Sequence, residues 1–231
     1  MGKRFGCLIT HGFAGGIHEI EPLAKHLAGK GFDVLCPELK GHTGRRRDLV
    51  FVSYKDWLDS VEECFLQLKA RCDGVVLIGF SMGGLLSVNI AAKYGAAALV
   101  TLNMPIYHWD FKRIGINIAG DLRSHNFSNI KHYLNSAAIP VPALLNFKLL
   151  LARTKGKLRE VTCPVYIAQA LEDDTVQASS AEYIKRNIGS EVKEVKYYGK
   201  SGHLICHSAA GEMLFNDVEG FINSIISNKC S

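Results

Sequence analysis

Residues 75–92 read VVLIGFSMGGLLSVNIAA. Four apolar residues that favour strands lead into Gly79-Phe80-Ser81-Met82-Gly83, and a helix-like segment follows. A hydroxyl at the abrupt end of a hydrophobic strand, with glycine two positions away on each side, has two readings. Ser81 can start the next helix as an N-cap. Alternatively, it is the exposed nucleophile of a G-x-S-x-G elbow, a strand-to-helix turn so tight that the serine backbone is strained. In the second reading Gly79 and Gly83 are glycine because a side chain would collide with neighbouring backbone. Gly83 and Gly84, with Ser87 and Ala91, also let the helix pack closely on the sheet.

Outward from the elbow, short β-rich runs alternate with helical patterns. The runs are 5–10, 33–37, 74–79, 97–102, 164–170 and 192–198. Most are nearly continuous apolar runs, as expected for strands covered on both faces. Tyr54, Trp57, Leu58, Val61, Phe65 and Leu68 follow helical spacing, and Ser53 with Asp56 forms a capping box before them. Leu214, Val218, Phe221, Ile222 and Ile225 give the last helix a similar stripe. The alternation predicts a mostly parallel, doubly wound α/β sheet with helices on both faces.

One connection is too long for a simple crossover. About 60 residues separate Leu102 from Pro164, where a crossover helix needs roughly 10–15. The spacing predicts a helical cap over 105–160, inserted before the penultimate strand, between core segments 1–104 and 161–231. Within it, Leu144, Leu145, Phe147, Leu149 and Leu151 give the stretch 140–155 a broad apolar face. Residues 105–160 carry nine Lys/Arg against three acids, a net +6, while the whole chain is +5. The basicity is therefore concentrated in the cap and is not spread as a nucleic-acid surface would require. Solvated helix faces account for it, with attraction of anionic substrates or a membrane surface as the alternative.

The 231 residues are 48% hydrophobic and 21% charged, an ordinary globular composition with room for a sizeable core. No apolar run is long enough for stable membrane insertion. The opening MGKRFGCLITHG has too short an apolar run, and no small-residue cleavage site, for a secretory signal. Seven cysteines without a C-x-x-C pair read as reduced thiols of a cytoplasmic protein, and they give little support to a metal site.

A serine hydroxyl needs a base to take its proton. Of nine histidines, His203 stands out in YYGKSGHLICHS, in a Gly-rich loop between the last strand and the last helix. Loops at the carboxyl ends of strands line the ligand crevice of an open α/β sheet. His207 is the rival, but it falls where the last helix begins. The orienting acid should follow a strand and precede that histidine. LEDDTV offers Glu172, Asp173 and Asp174; Asp173 is preferred because Val176 can anchor the returning chain, and Asp174 stands second. Acyl transfer also needs oxyanion donors, here the backbone N–H groups of Met82 and of Phe13 in the loop after the first strand. Gly12, Gly15 and Gly16 let that loop bend close to the reacting centre, and His11 is expected to hold its shape.

The stretches HGFAGG (11–16), PELKGH (37–42), YKDWLDSVEECF (54–65), GFSMGG (79–84), CPVYIAQALEDDTV (163–176) and SGHLI (201–205) occur in order along nearly the whole chain. They resemble the small bacterial carboxylesterases and monoacylglycerol lipases of the α/β-hydrolase superfamily. The resemblance implies a serine hydrolase with Ser81 as nucleophile, Asp173 and His203 completing the triad, and Phe13 and Met82 forming the oxyanion hole. It implies no metal or organic cofactor. Two departures matter. The chain starts directly at the strand before His11, so the sheet is expected to have about six strands. Monoacylglycerol lipases of this kind use a cap glutamate to read glycerol hydroxyls, and residues 105–159 contain no Glu. The expectation is therefore a carboxylesterase acting on small-molecule esters of short or medium acyl chains, as a monomer or homodimer. Ile106, Tyr107 and Trp109 would begin its acyl pocket. A lipase is the alternative within the class, and a non-catalytic ligand-binding protein on the same scaffold is the alternative outside it.

Overall fold

The computed structural model describes residues 4–107, 123 and 139–228. Six strands, β1 (Phe5–Thr10), β2 (Asp33–Leu35), β3 (Gly74–Phe80), β4 (Ala98–Leu102), β5 (Val165–Ala170) and β6 (Lys193–Tyr198), form one parallel sheet in the order β2-β1-β3-β4-β5-β6. Among the described residues the helices are α1 (Glu21–Gly29), α2 (Tyr54–Lys69), α3 (Met82–Tyr94), α4 (Val141–Lys157), α5 (Ser179–Asn187) and α6 (Gly211–Asn228), with short 3₁₀ turns between elements. This is the α/β-hydrolase fold, with the six parallel strands expected from the sequence.

Alternate residues of each strand point to opposite faces and divide the core in two. Leu8 of β1 and Leu77 of β3 join Trp57, Val61, Leu85, Val88 and Leu150 on the face covered by α2–α5. Cys7, Ile9, Val76 and Ile78 join Leu23, Leu27, Leu214 and Val218 under α1 and α6. Every residue of β1, β4 and β5 is buried, which accounts for their nearly continuous apolar character. The outer strand β2 ends at Leu35, two residues before the end of the run read from sequence. Cys36 precedes Pro37, and proline both lacks an N–H for the ladder and restricts its neighbour. The Ser53–Asp56 box forms as expected, with Ser53 N–H and Oγ–H both donating to Asp56 Oδ2 at 2.8 Å.

Of the expected cap, most residues, Trp109 among them, lie outside the described ones. The helix read over 140–155 is present as α4, but its buried face differs. Ala143, Leu150, Leu151 and Thr154 are buried, whereas Leu145 and Leu149 face outward. Polar anchors set this rotation. Asn146 Oδ1 accepts Tyr54 N–H at 3.2 Å, and Asn89 Nδ2 donates to Thr154 Oγ1 at 2.8 Å. An apolar count along the helix does not register such anchors. Among the described residues no helix is long and apolar enough to cross a membrane.

The closest backbone approach in the core brings the start of α3 onto the end of β1. A Cβ on Gly83 would lie 2.1 Å from Thr10 O, and one on Gly79 would lie 2.3 Å from Gly83 O. Backbone cannot yield as a flexible side chain can, so Gly83→Ala is expected to cost about 3 kcal/mol or more. That lowers Tm by roughly 6 °C or more for a chain of this size. Gly220, exposed in α6, meets nothing within 4 Å, and Gly220→Ala should gain about 0.5–1 kcal/mol from helix propensity. Thermal unfolding of the two variants beside the wild type checks both signs.

Candidate active site

The register brings the carboxyl ends of the central strands to one edge, since Thr10 pairs with Gly79, Phe80 with Leu102, and Leu102 with Ala168. The loops that leave this edge carry His11–Gly16, Ser81, Asn103, Asp173 and His203.

Ser81 occupies the turn between β3 and α3 at φ 51°, ψ −121°, a conformation that L-residues rarely adopt. Its N–H donates to Leu102 O at 2.8 Å, which pins the turn to the end of β4. Ser81 is the N-cap of α3 by position, yet its side chain makes no capping bond. Instead Ser81 Oγ lies 3.1 Å from His203 Nε2. The N-cap reading of this serine therefore does not describe its hydroxyl.

His203 Nδ1 lies 2.8 Å from Asp173 Oδ2. An ionised carboxylate only accepts, so this nitrogen carries the proton and Nε2 presents its lone pair to the serine hydroxyl. The imidazole ring also packs on Phe80, 5.0 Å between centroids. Burial disfavours the charged ring, but the charge and hydrogen bond of Asp173 outweigh it. Glu19 and Asp174 add to that effect, and His203 is held above the ordinary histidine range.

Of the three acids, Asp173 is the one whose carboxylate lies within hydrogen-bond distance of His203. Asp173 is buried, and its second oxygen accepts the N–H groups of Thr175 and Val176, each at 2.8 Å. Val176 is itself buried and anchors the loop, as its spacing suggested. Asp174 Oδ1 accepts the Thr175 hydroxyl at 3.1 Å, and Glu172 Oε1 accepts Lys200 N–H at 3.2 Å. His207 is turned to a different task, donating from Nε2 to His18 O at 2.8 Å in the 3₁₀ turn Ile205–His207.

Phe13 lies in the loop after β1, and Met82 directly follows Ser81. Met82 opens α3 and is fully buried; as a first-turn residue its N–H has no acceptor one turn back in the helix. The Phe13 ring stacks on Phe147 of α4 at 5.0 Å and 15°, and lies 5.6 Å from Trp57. Buried His11 donates from Nδ1 to Gly12 O at 2.9 Å, and burial lowers its pKa to about 4, so it stays neutral in its supporting place.

Two residues at the site were not singled out from the sequence. Asn103 is fully buried at φ 48°; its Oδ1 accepts Ala170 N–H at 2.7 Å and its Nδ2 donates to His203 O at 2.8 Å. It thus ties the loop bearing the acid to the loop bearing the histidine. Glu19 Oε2 accepts Gly12 N–H at 2.9 Å inside the loop that carries Phe13. An asparagine directly after a strand and an acid just beyond a glycine-rich loop are weak signals, because each derives its meaning from partners distant in sequence or from loop shape.

The family described as "Serine aminopeptidase, S33" matches residues 3–209. A thermostable monoacylglycerol lipase from Bacillus sp. (strain H-257) is 31% identical over 213 residues, covering 86% of this chain and 82% of that protein. A carboxylesterase from Bacillus subtilis (strain 168) is 22% identical over 229 residues, covering 94% and 92%. Among solved structures, one from work on LipS and LipT, two metagenome-derived lipolytic enzymes, superposes with a TM-score of 0.81 at 25% identity. It covers 97% of this chain and 95% of its own.

Among the groups that raise the His203 pKa against burial, Asp173 contributes most, so Asp173→Asn should lower the imidazole pKa, while Asp174→Asn should lower it less. NMR titration of the His203 ring protons reads this directly, and equal shifts in the two variants would contradict the pairing.

Proposed function

The chain belongs to the serine aminopeptidase family of α/β-hydrolases and is a hydrolase of the esterase/lipase type, and from that premise we propose that it cleaves carboxylic esters through an acyl-enzyme on Ser81. The observation that carries the proposal is the continuous chain Ser81–His203–Asp173, with bonds of 3.1 and 2.8 Å.

Each step follows from a named atom. Ser81 Oγ attacks the ester carbonyl as His203 Nε2 takes its proton. Asp173 holds the ring in the tautomer that leaves Nε2 unprotonated, and it stabilises the imidazolium that forms. The N–H groups of Phe13 and Met82 bind the negative charge that develops on the carbonyl oxygen. The imidazolium then protonates the departing alcohol. Water attacks the acyl-enzyme with His203 again as base, and Ser81 is regenerated. The strained turn holds the hydroxyl in place before substrate arrives, which reduces the rearrangement needed in the reaction.

The substrates proposed are small esters of short or medium acyl chains, admitted beneath a cap formed from 105–160. Five cysteines, Cys7, Cys36, Cys64, Cys72 and Cys206, are free thiols, which supports the cytoplasmic location proposed with this reading. A second reading, monoacylglycerol lipase, is favoured by the 31% identity to a protein of that activity. The absence of glutamate from 105–159 weighs towards a general carboxylesterase.

Hydrolysis of a p-nitrophenyl ester series beside monoacylglycerols separates these readings. The carboxylesterase reading expects higher kcat/KM on the short p-nitrophenyl esters; preference for monoacylglycerol would favour the second. Ser81→Ala and His203→Ala should lose about 10³-fold or more in kcat, whereas His207→Ala keeps activity within about threefold. Asp173→Asn should cost at least about 10²-fold and Asp174→Asn less than about fivefold. A wild type no more active than Ser81→Ala on any ester would favour a non-catalytic binding protein. Because His203 must be neutral to act, kcat/KM should fall as pH drops through its pKa, with the midpoint above the ordinary histidine value.

A further inference from the structure

Glu19 takes no part in these steps, yet its carboxylate is built into the loop that carries Phe13. Its Oε2 accepts the Gly12 N–H at 2.9 Å, and its own N–H donates to Gly16 O at 3.0 Å, so both ends of the loop meet at this residue. The loop wraps so tightly that a Cβ on Gly15 would lie 2.2–2.3 Å from the three carboxyl atoms. Between them Ala14 is held at φ 54°. Three glycines in six residues give this segment little stiffness of its own. A charge-assisted bond to a neighbouring N–H supplies what the chain lacks.

We propose that Glu19 is a positioning residue: its carboxylate fixes the backbone that presents the Phe13 N–H. The proposal rests on the esterase reading above. Oxyanion donors act by being held in place before the charge develops, so a slack loop loses rate at the transition state more than it loses substrate affinity. Glu19 is also close enough to act electrostatically on its surroundings. Burial raises its own pKa, against the Gly12 N–H, His203 and His18. Burial also pushes the Cys206 thiol up to about 12, with Glu19 adding to that effect. Among the described residues, Asp173, Glu19 and Asp174 act electrostatically on His203, and of these Asp173 is bonded to it.

The test compares Glu19→Ala and Glu19→Gln on p-nitrophenyl butyrate across pH, with thermal unfolding alongside. Glu19→Ala should lose about 10- to 100-fold in kcat with KM within about twofold. Glu19→Gln keeps an oxygen that accepts the Gly12 N–H, so it should recover kcat to within about threefold on the high-pH plateau. A Glu19→Ala enzyme equal to wild type would overturn the proposal. So would a Glu19→Gln enzyme whose kcat falls more than about tenfold, including where Glu19→Ala does not fold. A wild type no more active than Ser81→Ala would instead overturn the esterase reading and this proposal with it. An active wild type beside an unaffected Glu19→Ala overturns the role of Glu19 alone.

Discussion

The start of α3 is pressed onto the end of β1, with room at Gly83 for a hydrogen atom and nothing larger. That contact fixes the angle at which the helix leaves the sheet. The angle in turn forces the backbone at Ser81 to positive φ, and the Ser81 N–H is satisfied by Leu102 O one strand away. A serine on an ordinary strand-to-helix connection would turn its hydroxyl back to cap the helix. Here that option is closed, and the hydroxyl is left for His203. The strain at one residue is supported by the packing of β1, β3, β4 and α3, most of it buried and apolar.

Charge at the site is arranged around the same edge. Asp173 is buried with its two oxygens committed to different tasks, one to His203 and the other to two backbone N–H groups. The second set of bonds fixes the carboxylate while the first acts on the imidazole. Asn103 links the end of β5, from which the acid's loop departs, to the backbone of His203. Glu19 performs a comparable service on the other side of the serine, for the loop after β1. Neighbouring Asp174 and His207 have similar chemistry, but their bonds direct them to Thr175 and His18.

Much of this was legible in the sequence, for identifiable reasons. Parallel strands buried on both faces must be continuously apolar, so β1, β3, β4 and β5 were readable as runs. G-x-S-x-G carries its own steric logic, and Asp173 could be preferred over Asp174 because Val176 must be buried three residues on. Asn103 and Glu19 were not legible, because each acts through backbone groups of a loop whose shape sequence does not display. The orientation of α4 was not legible for a related reason. Leu145 and Leu149 look like core residues, but Asn146 and Thr154 set the rotation by bonding to Tyr54 and Asn89.

The central claim is that Ser81 is a nucleophile activated by His203. It is tested most directly by treating the protein with a fluorophosphonate, measuring the intact mass, and mapping the modified peptide. The account predicts one adduct per chain, located on Ser81, formed at least about 10²-fold more slowly in His203→Ala and unchanged in His207→Ala. An unlabelled protein, or an adduct on any other residue, would contradict it.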